Sequence, residues 1–239
     1  MNTSDLIRFQ KTLRKKIDSI AEEYNLIGTY YPLYDGLSNI QAYKNSNLKI
    51  LWILKEGYCS EDDVGGWSIT EDLFQDYPYN RKIVNKTHQK MAYVSYGILN
   101  KCYWRNINYL SDNPEIGEVL HEIAYININK MPANTRTDDN TLWDKYKIWK
   151  KILWEQIYAY NPDVIIFGNT FKYFKKHIFK NDEPKWDSDY GVNIQNNARV
   201  NVCYQNNTLL IDTNHPQYCD CQGDWANSII KACKDYFNY

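Results

Sequence analysis

The residues of this chain best suited to chemistry are those that follow short apolar runs. Glu56 comes just after Lys49-Ile-Leu-Trp-Ile-Leu54, with Lys55 before it and Tyr58 after it. Asn127, Asn129 and Lys130 end the run Glu122-Ile-Ala-Tyr-Ile-Asn-Ile128. Gly168 closes Asp163-Val-Ile-Ile-Phe167, and Asn214-His215-Pro216-Gln217 follows Thr208-Leu-Leu-Ile-Asp212. An acid, an amide, a tight glycine turn and a histidine thus occupy equivalent places. A carboxylate can orient water or offset positive charge, and an imidazole can donate or accept a proton near neutral pH. An amide offers a donor and an acceptor in one plane.

The runs themselves are too short for independent helices. They read as strands buried on both faces, as in a parallel sheet covered by helices. Ligands of such sheets sit outside the carboxyl ends of the strands, so the residues named above are expected to converge on one crevice. Helices fill the intervals. The first is capped by Ser4, with Leu6, Phe9, Leu13, Ile17 and Ile20 at helical spacing. Others are expected over 82–104 (with Ile83 and Met91 inward), 141–160, 170–179 and 223–237. Val200 to Tyr204 and Thr208 to Asp212 flank Gln205-Asn-Asn207, which is a hairpin signature. Ser60 to Tyr79 is polar, contains Gly65-Gly66, and reads as a loop. The expected architecture is a single α/β domain over 1–239, three-layer α/β/α, around a central four-stranded, mostly parallel sheet.

Composition bounds the function classes. A hydrophobic share of 44% over 239 residues supports a real core. A net charge of -1 lacks the basic surplus that duplex-gripping proteins usually carry. The six cysteines include no C-x-x-C pair, and Cys219 and Cys221 are not at zinc-ligand spacing. Free thiols, no signal peptide and no membrane-length apolar run point to a cytoplasmic protein. No nucleophile elbow, phosphate-binding Gly-rich loop or His-Glu-x-x-His helix is present. A cysteine–histidine nucleophile, or a metal site from Asp212, His215 and Asp220, has no supporting signature. No cofactor is expected.

The order of the strand ends resembles the uracil-DNA glycosylase superfamily, over about residues 48 to 235. In Leu54-Lys-Glu-Gly-Tyr58, Glu56 falls where that superfamily places an Asp and Tyr58 where it places a Tyr. Ile126-Asn-Ile-Asn-Lys-Met-Pro132 looks like its Asn-x-x-Lys segment, with Asn127 and Lys130 in the matching places. Pro162-Asp-Val-Ile-Ile-Phe-Gly168 looks like its third strand, and His215-Pro216 like the start of its last motif. The departures are Gly57 at the proline position, Gln217 at the serine position, and no recognisable intercalating leucine loop.

The resemblance implies hydrolysis of an N-glycosidic bond of a damaged or uracil-type base, as in DNA repair, with Glu56 and His215 catalytic. Lys55, Tyr58, Asn127, Asn129, Lys130, Gly168 and Asn214 would surround the substrate. The ligand would be a nucleobase or a nucleic acid, with the base flipped or single-stranded, since a pocket cannot reach a base inside a duplex stack. A non-catalytic binding module and a hydrolase of a small nucleoside are the rival functions. Structural alternatives also stand beside each residue. Glu56 could pair with Lys55, Lys130 or Arg136, and His215 could satisfy backbone carbonyls at a strand end. Asn127 or Asn129 could stabilise a loop, and Tyr58 could be packing. Lys172, Lys175, Lys176 and Lys180 form either a phosphate-facing stripe or a solvated helix face. His88, His121 and His177 are expected to be structural or exposed.

Overall fold

The structure is a computed structural model that describes residues 1–60, 62–73, 85–133, 137–180, 182–187, 199–218 and 222–238. Ile83, Arg136, Cys219, Asp220 and Cys221 lie outside these residues.

Six strands form one mixed sheet: β1 (Gly36–Leu37), β2 (Ile50–Leu54), β3 (Ala124–Asn127), β4 (Val164–Gly168), β5 (Val200–Gln205) and β6 (Thr208–Thr213), in the order β1-β3-β2-β4-β6-β5. The four inner strands are parallel, and β1 and β5 run antiparallel at the rims. This corrects the expected four-stranded sheet. β1 is two residues long, too short for any periodicity to announce it. β5 is the first arm of the expected hairpin. Asn206 and Asn207, at φ 50° and 62°, make its two-residue turn in the left-handed region, where asparagine is favoured.

Helices cover both faces. On one face, α3 (Lys86–Leu99) and α6 (Gln222–Phe237) pack on Trp52, Tyr125, Ile166 and Ile211. On the other, α1 (Thr3–Glu23), α2 (Ile40–Asn45), α4 (Asp139–Tyr160) and α5 (Phe171–Phe179) pack on Ile53, Ile126, Phe167 and Leu210. Alternate residues of each inner strand feed opposite cores, so the apolar runs are continuous. Trp52, Trp149 and Trp225 are fully buried.

Several helix boundaries shift from the sequence reading. Asn2, not Ser4, caps α1, accepting the Asp5 amide at 2.8 Å. Helix α3 ends at Leu99, ahead of Lys101, whose φ of 57° leaves the right-handed region. The stretch read as a loop contains a π-helical turn at Ile69–Leu73 and bridges from Gly65 to Tyr31 and from Ser68 to Tyr34. Among the described residues, no helix is long and apolar enough to cross a membrane.

Candidate functional site

The chain leaves β2 toward α3 on one face and leaves β3 toward α4 on the other. Adjacent parallel strands whose connections diverge in this way open a crevice at their carboxyl ends. The loop after β2 does not wander. The amide of Asn129 donates to the carbonyl of Lys55 at 2.9 Å, and that of Ala133 to the carbonyl of Gly57 at 2.9 Å. This pairing extends the sheet beyond its regular strands and fixes where Glu56 projects.

The crevice is a cleft with two adjoining lobes. One, of 560 Å³, has Lys55, Asp139, Asn169 and Tyr218 in its walls. The other, of 390 Å³, runs under the first turn of α3, against Trp67, Ile69, His88 and Tyr125. Glu56, Tyr58, His215 and Gln217 line both. An acid after the first inner strand and an imidazole after the last therefore face one hollow.

The Glu56 carboxylate accepts the side-chain amide of Asn129 at 3.1 Å. Asn129 is itself held, its carbonyl oxygen accepting the Met131 amide at 3.1 Å and the Trp149 indole N–H at 3.3 Å. His215 is half-buried. Burial, then the ammonium groups of Lys55 and Lys90, push its pKa down to about 4. Its Nδ1 accepts the Gln217 backbone N–H at 3.3 Å, which assigns the ring proton to Nε2. At neutral pH His215 is a neutral imidazole with an Nε2–H donor. Gly168 lets the His215 turn approach, since a Cβ there would lie 2.3 Å from Leu54 Cδ2 and 3.2 Å from Pro216 Cδ.

Lys55 reaches across the first lobe to Asp139, Nζ to Oδ1 at 2.8 Å, and Lys172 holds the other carboxylate oxygen. Burial acts upward on Asp139, but Lys172 and Lys55 outweigh it and leave its pKa lowered. Tyr58 is 41% exposed at the rim, its hydroxyl 3.1 Å from Thr137 Oγ1.

The other expected site residues stand back from the walls. Asn127 is buried beneath the second lobe. Its Oδ1 accepts the Tyr125 hydroxyl at 3.0 Å, and its Nδ2 has no hydrogen-bond partner among the described residues. That nitrogen is 3.7 Å from the place a Cβ on Gly57 would take, and Gly57 lines the lobe. Lys130 points away from the cleft. Fully buried, its Nζ contacts both oxygens of Asp35 at 2.7 Å and Gln156 Oε1 at 2.9 Å, because an ammonium taken out of water needs charged and polar partners. Asn214 accepts the Arg199 amide at 2.5 Å beside β5, and Gly168 acts by packing.

Sequence reasoning passed over His88 and Asp139, while Asn169 and Gln217 lie within the strand-end segments expected to converge but carry no expected role at the site. His88, expected to be structural or exposed, is buried and also lines the second lobe. Its pKa is pushed down to about 3 by burial and then by His215. Asn169 has φ 61°, which the turn directly after Gly168 requires, and its amide donates to the Thr213 carbonyl at 2.7 Å. An asparagine after a strand-ending glycine was the one local signal available for it. His121 bonds Ser38 and His177 stacks on Trp154, both away from the cleft. Among the described residues, no group of three or more His, Cys, Asp or Glu could hold a metal ion, and Asp212 is paired with Arg199 at 2.9 Å. No family model and no curated protein matches the chain.

Proposed function

We propose that the chain is a glycosylase-like hydrolase that cleaves the N-glycosidic bond between a sugar and a nucleobase. The observation that carries this reading is the shared cleft, with the Asn129-held Glu56 carboxylate and the neutral, Nε2-protonated His215 both in its walls. In this reaction the base departs with the bonding electron pair and positive charge builds on the sugar. Glu56 offsets that charge, orients a water toward the anomeric carbon and takes the proton that the water loses as its oxygen bonds that carbon, the proton passing on to the departed base. The Nε2–H of His215 donates to the oxygen of the departing base, a bond that strengthens as the base becomes anionic. A neutral imidazole suits this role, because it stabilises the anion without having to give up a proton.

The lobes divide naturally between the two halves of such a substrate. The first, with Lys55, Glu56, Asp139 and Asn169, offers polar groups to sugar hydroxyls. The second, with Trp67, Ile69 and Tyr125, offers flat and apolar walls to a ring. The Nδ2 of Asn127, which has no partner among the described residues, lies under that second lobe. Asp139 in the first lobe and the net charge of -1 favour a small nucleoside as the second reading of the substrate.

Base release from single-stranded oligonucleotides containing uracil or hypoxanthine, and from the matching nucleosides, tests both. Turnover is expected in the native chain, with a loss of about 10²- to 10⁴-fold in Glu56→Gln and about 10²- to 10³-fold in His215→Ala. No turnover across the panel, or the same turnover in both variants, removes the hydrolase reading. Tight base binding without turnover leaves a binding module.

A further inference from the structure

On the face made by α1, α4 and α5 lies a groove of 640 Å³ that has no part in the cleft. Helix α4 begins at the cleft with Asp139, and Tyr158, nineteen residues on, is roughly 28 Å away at about 1.5 Å per residue. The groove joins aromatic rings to lysines. Trp154 stacks on His177 with ring centroids 3.9 Å apart and planes at 28°. Tyr158 continues the run, its ring 5.6 Å from Trp154 and tilted by 37°, with its hydroxyl 3.3 Å from His177 Nε2. The outer member is open, since Tyr158 is 66% exposed, and Tyr24 across the groove is 48% exposed.

The charged residues of the groove are Lys147, Lys150 and Lys151 against Glu23 and Glu155. Helices α4 and α5 carry seven lysines against three acids, on a chain whose net charge is -1. Some of these are engaged: Lys147 pairs with Asp144, Lys172 with Asp139 and Lys175 with Glu183. Glu155 at the groove is taken by Lys16. Lys150 and Lys151 are exposed at the groove and enter no ion pair among the described residues. Burial, then Lys150, lowers the pKa of His177, so this imidazole adds a flat ring rather than charge.

We propose that this groove is a binding site for single-stranded nucleic acid, separate from the cleft. A cluster of a stacked Trp154–His177 pair and a tilted, exposed Tyr158 ring offers an open face on which an unpaired base can stack. Lys150 and Lys151, about one turn from Trp154 and two from Tyr158 along α4, take its phosphates. An acidic protein would use the lysines but has no need of an open ring stack. The assignment does not depend on the glycosidic reading, because it concerns binding alone.

Fluorescence anisotropy of the full chain with a labelled oligo(dT) of about twenty nucleotides tests it, with oligo(rU), duplex DNA and poly-glutamate as further arms. Binding is expected to favour single strands and to weaken with salt. Tyr158→Ala should weaken it about tenfold, the loss of one stacked base. The double variant Lys150→Ser with Lys151→Ser should lower the slope of log K against log salt by about 1.4, at about 0.7 per phosphate contact. All three positions are exposed, and circular dichroism of the variants checks that they fold. Three results would overturn the proposal: no binding to either single strand, an affinity unmoved by both variants, or poly-glutamate binding as tightly with Tyr158 irrelevant.

Discussion

Asn129 is the support on which Glu56 rests: its amide nitrogen lies 3.1 Å from the Glu56 carboxylate, while its oxygen is fixed by Met131 and Trp149. Replacing Asn129 with Ala removes the donor and leaves the Trp149 indole N–H without its acceptor. A hydrogen bond to a charged group contributes about 1.5–3 kcal/mol. Base release should therefore fall roughly ten- to a hundredfold in kcat, with KM changed less. Steady-state kinetics decide the matter, since equal effects on kcat and KM would mean that Asn129 shapes binding rather than the position of Glu56.

Lys55 shares a cleft wall with His215, and its ammonium helps to hold that imidazole neutral. Burial is the larger cause and persists without the charge. Lys55→Met should raise the pKa of His215 from about 4 toward, but not up to, the ordinary 6.5. The imidazole carbon shifts followed by NMR across pH report this directly. An unchanged or lowered value would show that Lys55 does not act on the ring.

Acid should destabilise the fold through its two suppressed imidazoles. His88 and His215 titrate at about 3 and about 4 when folded, against 6.5 when unfolded. Below 6.5 the unfolded chain binds protons that the folded chain refuses. Stability is thus full above 6.5 and falls as pH drops through 4 toward 3. The urea midpoint at about pH 4.5 should lie well below that at about pH 7.5, and His215→Gln should narrow the gap. The same gap in both proteins would contradict the depressed pKa of His215.

Lys130 and Asp35 form a buried pair that also accepts the Asn127 backbone amide at 2.8 Å. Lys130→Met should cost about 3–5 kcal/mol, since it strands a carboxylate in the core. Adding Asp35→Leu should restore part of the loss, because no lone charge then remains. Denaturant unfolding of the single and double variants tests this, and an additive result would deny the pairing.

How legible this was in the chain varied with the element. The parallel strands showed themselves because a strand buried on both faces is a plain apolar run, as Ile50 to Leu54 and Val164 to Gly168 are. Glu56 and His215 followed, since parallel strands place their carboxyl ends together. Lys130 and Asn129 follow the same strand, yet their side chains turn inward to Asp35 and back toward Glu56. Partners 95 and 73 residues away in sequence set those directions, and no local pattern carries them. Asp139 and His88 were invisible for a related reason. Each belongs to the first turn of a helix, and only the crossover geometry aims that turn at the cleft.

The sheet's margins bear on how these molecules meet one another. A foreign strand extends a sheet by finding a row of unanswered amides and carbonyls. β1 offers two residues, and at the opposite margin the Val202 carbonyl already receives the Asp187 amide at 2.8 Å. The β1 border is too short to serve as a template, so folded chains should not polymerise strand to strand through that margin.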